Sequence, residues 1–225
     1  RSLMKMKMKV LFLYSELAGY LLSCLDNLAE RNVEIHVVHK PVNKEAPFDI
    51  VSAEKFYRYE RSSYSLKSLI ELAEKISPDA IYCSGWMDKG YLAVCKRFRN
   101  KIPVIVGFDN KWRGTLKQKT GVLLSKAVLH ACFSHCWIPG NPQLEYAHRL
   151  KFMEPFILSG FYSCDYTFFH DLYLKFRESK KRIFPHRFIF IGRYYDFKGI
   201  RHLWNAFIEL QQKHPSDWEL WCLGT

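Results

Sequence analysis

Apolar residues in this chain follow two rhythms that alternate from the amino terminus onward. Residues 10–14 (VLFLY) and 33–39 (VEIHVVH) are short, nearly continuous apolar runs, the pattern of strands buried on both faces of a sheet. Between them Leu17, Leu21, Leu25, Leu28 and Ala29 recur at helical spacing, with Ser15 placed to cap that helix and Asn32 to stop it. Residues 41–49 read as a loop, and the alternation then resumes. Strands are expected at 55–59 (KFYRY), 79–85 (DAIYCSG), 102–108 (IPVIVGF), 132–140 (CFSHCWIPG) and 155–160 (PFILSG). Helices are expected from Ser65 to the break at Pro78, over 87–98, within 115–131 and over 142–150. Strands that alternate with helices predict a doubly wound, mostly parallel α/β sheet of Rossmann type.

The rhythm is lost over residues 161–186, which are aromatic and basic without a clear period and read as a crossing linker. It returns with an apolar run at 188–191 (FIFI), a helix from about 198 to 213, and a run at 218–224 (WELWCLG), with Pro215 and Ser216 before the last. The expected organisation is therefore an N-terminal Rossmann-like domain over 4–160, a linker over 161–186, and the first β-α-β of a second Rossmann-like domain over 187–225. A single β-α-β unit leaves strand edges in want of partners.

Charge changes the picture more than composition does. Hydrophobic residues at 48% and charged residues at 25% describe an ordinary globular chain of 225 residues, but the net charge of +12 implies an anionic partner. Seven scattered cysteines, an odd number, suit reduced thiols in a cytoplasmic protein better than a disulfide framework. No apolar run approaches the roughly 20 residues of a spanning helix. Basic clusters at Lys96, Arg97, Arg99 and Lys101 and over 175–182 read as solvated faces. Their minority reading is peripheral contact with anionic lipid at the inner membrane face. No nucleic-acid module accompanies the charge, so specific nucleic-acid binding is not expected.

Candidate chemistry lies where strands end. Gly192 closes the run at 188–191, and Arg193 and Lys198 follow with four residues between them before Gly199 opens a helix. Two cations at the carboxyl end of a strand suit an anionic group: arginine grips a phosphate through paired hydrogen bonds and lysine adds a mobile point charge. A strand-to-helix turn with two solvated cations fits the spacing equally well. After the strand at 102–108 come Asp109, Asn110, Trp112 and Arg113, where the carboxylate and amide can bind hydroxyls and the indole can stack on a sugar; a helix cap with an exposed tryptophan is the plainer reading. Asp88 makes the same topological claim more weakly. The first strand-helix turn has only Gly19, too little for a dinucleotide fingerprint. His130, Cys132, His135 and Cys136 lack zinc-ribbon spacing and are read as core packing. No nucleophile elbow and no Walker-type loop is present.

With these residues assembled, the chain resembles the retaining GT-B glycosyltransferases of glycosyltransferase family 4. The resemblance rests on FIGRYYDFKG with the following IRHLWNAFIELQQKHP and WELWCLGT, and on IPGNPQLEYAHRLKF with ILSGFYSCDYTFF. It implies transfer of a sugar from a nucleoside-diphosphate donor to an acceptor hydroxyl with retained configuration. The acceptor would be a glycan, a lipid-linked molecule or a small molecule. By resemblance, Arg193 and Lys198 hold the donor diphosphate as the catalytic cations, flanked by Gly192 and Gly199, and no metal or other cofactor is needed. The family's paired glutamates, seven residues apart, would fall beyond Thr225. The expectation is that this chain is an incomplete portion, inactive alone, whose open edge favours a homo-oligomer. The competing class is a non-catalytic nucleotide- or polyanion-binding α/β protein.

Overall fold

The computed structural model describes residues 7–41, 55–160, 162–182 and 184–224. The chain divides into two compact units, Arg1–Asp165 and Tyr166–Thr225.

The first unit begins with β1 (Met8–Tyr14), α1 (Gly19–Glu30) and β2 (Val33–His39), followed by β3 (Tyr57–Glu60), α2 (Leu66–Ile76) and β4 (Ala80–Cys83). It continues through α3 (Lys89–Phe98), β5 (Val104–Gly107), α4 (Leu116–Val128), β6 (His135–Ile138), α5 (Asn141–Arg149) and β7 (Ile157–Ser159). The seven strands form one sheet in the order β3-β2-β1-β4-β5-β6-β7, and every pairing is parallel. This is the α/β sheet that the alternating rhythm predicts.

Continuous apolar runs are needed because the sheet is covered on both faces. Successive side chains point to opposite sides, so Leu11 and Leu13 of β1 join one core while Phe12 and Tyr14 join the other. In β4, Ile81 and Cys83 face the first core and Tyr82 the second. Helices α2 and α3 cover the first face through Leu69, Ala73, Ile76, Tyr91, Val94, Cys95 and Phe98, and α1 covers the second through Leu22 and Leu25. Tyr91 fixes α3 against the sheet: its buried hydroxyl donates to the Tyr14 carbonyl at 2.9 Å and lies 3.2 Å from that of Val38.

Local signals held where side chain and backbone agree. Ser65 caps α2 by accepting from the Ser68 N–H, and Asn32 ends the first helix in the left-handed region (φ 64°). Ser15 does not cap α1. That helix starts at Gly19 behind Ala18, and the Ser15 N–H instead donates to Ser84 Oγ at 2.8 Å. Leu22 is buried on this helix, whereas Leu21 is only partly covered.

The second unit consists of α6 (Tyr166–Arg182), β8 (Arg187–Ile191), α7 (Ile200–Lys213) and β9 (Glu219–Leu223). β8 and β9 pair in parallel across α7 and form a β-α-β unit. Most of the segment read as an irregular linker is helical here. Phe169, Leu172 and Phe176 share one helical stripe, but Phe168, Leu174 and Tyr166 fall outside it and blur the period.

Candidate functional site

The site in the first unit lies at the carboxyl end of the sheet, where open α/β sheets bind ligands. The strand order reverses between β1 and β4, and there the loops are tied together. The Ser84 N–H donates to the Leu13 carbonyl at 2.9 Å, and Ser84 Oγ donates to Ser15 Oγ at 3.2 Å. Beside this junction a cavity of about 970 Å³ opens between the β4–α3 loop, the segment after β5 and α4. Asp109, Asn110 and Arg113 all line it, together with Lys111 and Lys117 and the apolar Trp86 and Leu124. The structure therefore brings three of the sequence-predicted residues to one place.

The segment after β5 is held by residues that sequence reasoning missed. Gln118 on α4 accepts from the Arg113 N–H at 2.8 Å and donates to the Lys111 carbonyl at 2.8 Å. Gln143 on α5 donates to the Asp109 carbonyl at 3.0 Å. Tyr162 reaches back from 53 residues away to donate to the Asp109 carboxylate at 3.0 Å. Burial first, and then the adjoining Asp109 carboxylate, push the Tyr162 hydroxyl up to about 12, so it remains a proton donor at neutral pH. Thr115, not Asp109 or Asn110, caps the helix here, accepting from the Gln118 N–H. Neither acid nor amide is consumed by capping.

The other predicted positions lie elsewhere. Trp112 is half-buried, packed on Tyr146 at 5.8 Å between ring centres, with the Arg149 guanidinium over its ring at 4.5 Å. Asp88 caps α3, its Oδ1 accepting from the N–H groups of Gly90 (2.8 Å) and Tyr91 (3.1 Å) and from Arg61 Nη2 (3.1 Å). Burial alone would raise this carboxyl, but those hydrogen bonds and the guanidinium charge outweigh it and hold it below the usual carboxylate range. Gly90 matters to this arrangement, since a Cβ there would overlap the Arg61 guanidinium. Gly19 is the first residue of α1, with open space around it.

In the second unit, Gly192 ends β8 and its N–H donates to the Leu223 carbonyl at 3.0 Å. Arg193 follows, and a 3-10 turn over Asp196–Lys198 carries Lys198 to Gly199, whose left-handed backbone (φ 76°) opens α7. The two cations thus leave the carboxyl end of a strand and precede the amino end of a 14-residue helix, where unpaired N–H groups and the helix dipole favour an anion. Lys198 Nζ lies 5.5 Å from the Phe197 ring centre.

The histidines and cysteines read as core packing do not converge. Cys132 and Cys136 are buried, His130 Nε2 bonds the Leu150 carbonyl at 2.9 Å and His135 Nδ1 pairs with Ser134 Oγ. Among the described residues there is no cluster of three or more metal-ligand side chains. In the basic group at 96–101, Arg97 pairs with Glu74 at 2.7 Å and Arg99 donates to the Phe133 carbonyl at 2.7 Å.

The first unit is a doubly wound parallel sheet and the second a parallel β-α-β unit, both α/β in class. Residues 9–112 match the family described as Glycosyl transferase 4-like. A comparison with curated proteins by sequence found no match. Among solved structures, a glycosyltransferase from Rickettsia africae ESF-5 is similar at TM-score 0.57 and 12% identity, over 98% of this chain and 69% of that one. The UDP-N-acetylglucosamine 2-epimerase of Rickettsia bellii is similar at TM-score 0.54 and 13% identity, over 96% of this chain and 62% of its own. The UDP-GlcNAc 2-epimerase of Neisseria meningitidis, bound to UDP-GlcNAc, is similar at TM-score 0.52 and 13% identity, over 96% and 65%. These likenesses show the fold. The chain spans just under two thirds of the length of the epimerases.

Proposed function

We propose that the protein acts in retaining glycosyl transfer from a nucleoside-diphosphate sugar to an acceptor hydroxyl. The observation that carries this reading is the path of the chain from β8 through Arg193 and Lys198 into the amino terminus of α7. The glycosyl transferase 4-like match over residues 9–112 supports it independently. Two cations and a row of backbone N–H groups neutralise the charge that develops on a departing diphosphate, the largest electrostatic demand of such a reaction. The acceptor hydroxyl gives its proton to that phosphate on the same face, so configuration is retained without a protein nucleophile.

The cavity after β5 takes the acceptor. Asp109 accepts from an acceptor hydroxyl while Tyr162 holds its carboxylate in place, and Arg113 and Lys111 attract an anionic group on the same molecule. Asp88 is assigned to capping α3 and not to substrate.

Isothermal calorimetry with UDP, GDP and ADP tests the assignment. Replacing Arg193 or Lys198 by alanine is expected to weaken diphosphate binding at least tenfold, from the loss of about 2 kcal/mol of charge-assisted contact. Equal affinity of both variants and the parent for every nucleotide overturns it. A transfer assay with the matching nucleotide sugar separates an enzyme from a non-catalytic nucleotide-binding protein.

A further inference from the structure

We propose that the outward face of α4 is a docking surface for an anionic lipid bilayer. The helix is amphipathic in the wrong direction for a surface helix of a globular protein. Its inward side is narrow and offers the core only Val122 along its length, with Leu129 at its end; Ser125 is enclosed and bonded to the Val122 carbonyl at 2.8 Å, and Gln118 turns to the neighbouring loop. Its exposed side carries the leucines. Leu116 is 82% exposed, Leu123 81%, Leu124 49% and Val128 45%. At 100° per residue, Leu116, Leu123 and Leu124 fall on one side of the helix, with Lys119 and Lys126 along one border and Lys117 beside the other. Apolar residues in the centre with lysines at the margins let the aliphatic part enter the headgroup boundary while the ammonium groups stay at phosphate level.

Charge selects the occupant. Residues 110–144 contain Lys111, Arg113, Lys117, Lys119 and Lys126 and not one aspartate or glutamate. None of those five cations forms an ion pair among the described residues. A second copy meeting this face across a two-fold axis would bring like charges together, whereas a surface of anionic headgroups complements all of them. Among the described residues no helix is long and apolar enough to cross a membrane. Leu124 and Val128 also line the cavity after β5, as does Met87, itself 80% exposed, so the docking face runs on to the mouth of that cavity. The basic clusters at 96–101 and 175–182 are not needed for it.

Vesicle flotation of the 225-residue chain tests the proposal without any sugar donor. Vesicles of phosphatidylcholine mixed with phosphatidylglycerol are expected to carry the protein up the gradient, and phosphatidylcholine alone to carry far less, with binding weakened by salt. A Leu116→Glu, Leu123→Glu variant should lose roughly tenfold or more in bilayer affinity. A Lys117→Gln, Lys119→Gln, Lys126→Gln variant should lose about fivefold per lysine. All five side chains are exposed, and unchanged circular dichroism confirms that both variants fold. Failure of the parent to float, equal binding to both vesicle types, or full binding by the leucine variant overturns the proposal. So does binding that survives both α4 variants but is lost in Lys180→Gln, Lys181→Gln. Light scattering that finds a dimer which the leucine variant breaks, with no flotation, gives the face to a second copy instead.

Discussion

The two units share one structural grammar and differ in what closes over it. In the first, β1, β2 and β4 lie between two cores, and Leu13, Val37, Val38, Ile81, Val104 and Phe133 are fully buried. In the second, the same strand-helix-strand order yields a two-stranded sheet whose Phe188, Ile189, Ile191, Trp221 and Leu223 stay exposed, and Ile200 is the single buried side chain among its described residues. Aromatic stacking replaces a core there: Trp218 lies on Phe188 at 4.6 Å and on His186 at 5.1 Å, and Arg187 covers Trp221 while pairing with Glu219. Period and propensity are enough to form each element. Stability comes from how many neighbours cover it.

The largest expected effect tests that difference directly. Phe133→Ala opens a cavity in the first core and should cost about 3–5 kcal/mol, whereas Phe188→Ala removes a half-exposed ring and should cost about 1 kcal/mol. Urea titration followed by far-ultraviolet circular dichroism measures both. Similar costs would mean that the second unit is as well covered as the first.

What the sequence revealed follows the same division. The β1 run VLFLY was readable because a strand buried on both faces must be apolar at every position. The lysine and leucine positions of α4 were in view, but the direction of the helix was not: nothing local says that Ser125 points inward and Leu123 outward. The segment 109–113 was legible as a candidate site from its place after a strand. Its supports were not, because Gln143 and Tyr162 lie 34 and 53 residues from Asp109 and carry no periodic signal. The cation loop was visible in sequence, and the left-handed Gly199 that turns it into α7 follows from the glycine after a short turn.

A middle-sized effect concerns the polar joint that steadies the first unit. Asp88→Ala removes the cap of α3 and leaves the part-buried Arg61 without its carboxylate, a cost of about 2–3 kcal/mol. Because the folded carboxyl titrates below its unfolded value of about 3.9, its contribution is present in full above that value. It is lost as the pH falls through the lower folded value. The parent should therefore lose stability below about pH 4, and Asp88→Asn should flatten that limb. An unchanged acid limb in Asp88→Asn would remove this joint from the account of why the first unit is firm.

The smallest effect is local and bears on whether the second unit stands alone. Gly199 has φ 76°, and open space surrounds the position of a Cβ, so Gly199→Ala carries a conformational cost without a clash. That cost is about 1 kcal/mol. It falls where α7 begins, beside Ile200, the one buried side chain among the unit's described residues. Hydrogen exchange should accelerate about fivefold at the amides of β8, α7 and β9, while the amides of β1, β4 and β5 keep their protection. Lys198 sits next to the strained residue, so nucleotide affinity should fall in step with the loss of protection. Acceleration spread evenly over both units would make them one cooperative body, and the contrast between a covered and an uncovered sheet would then describe burial without describing stability.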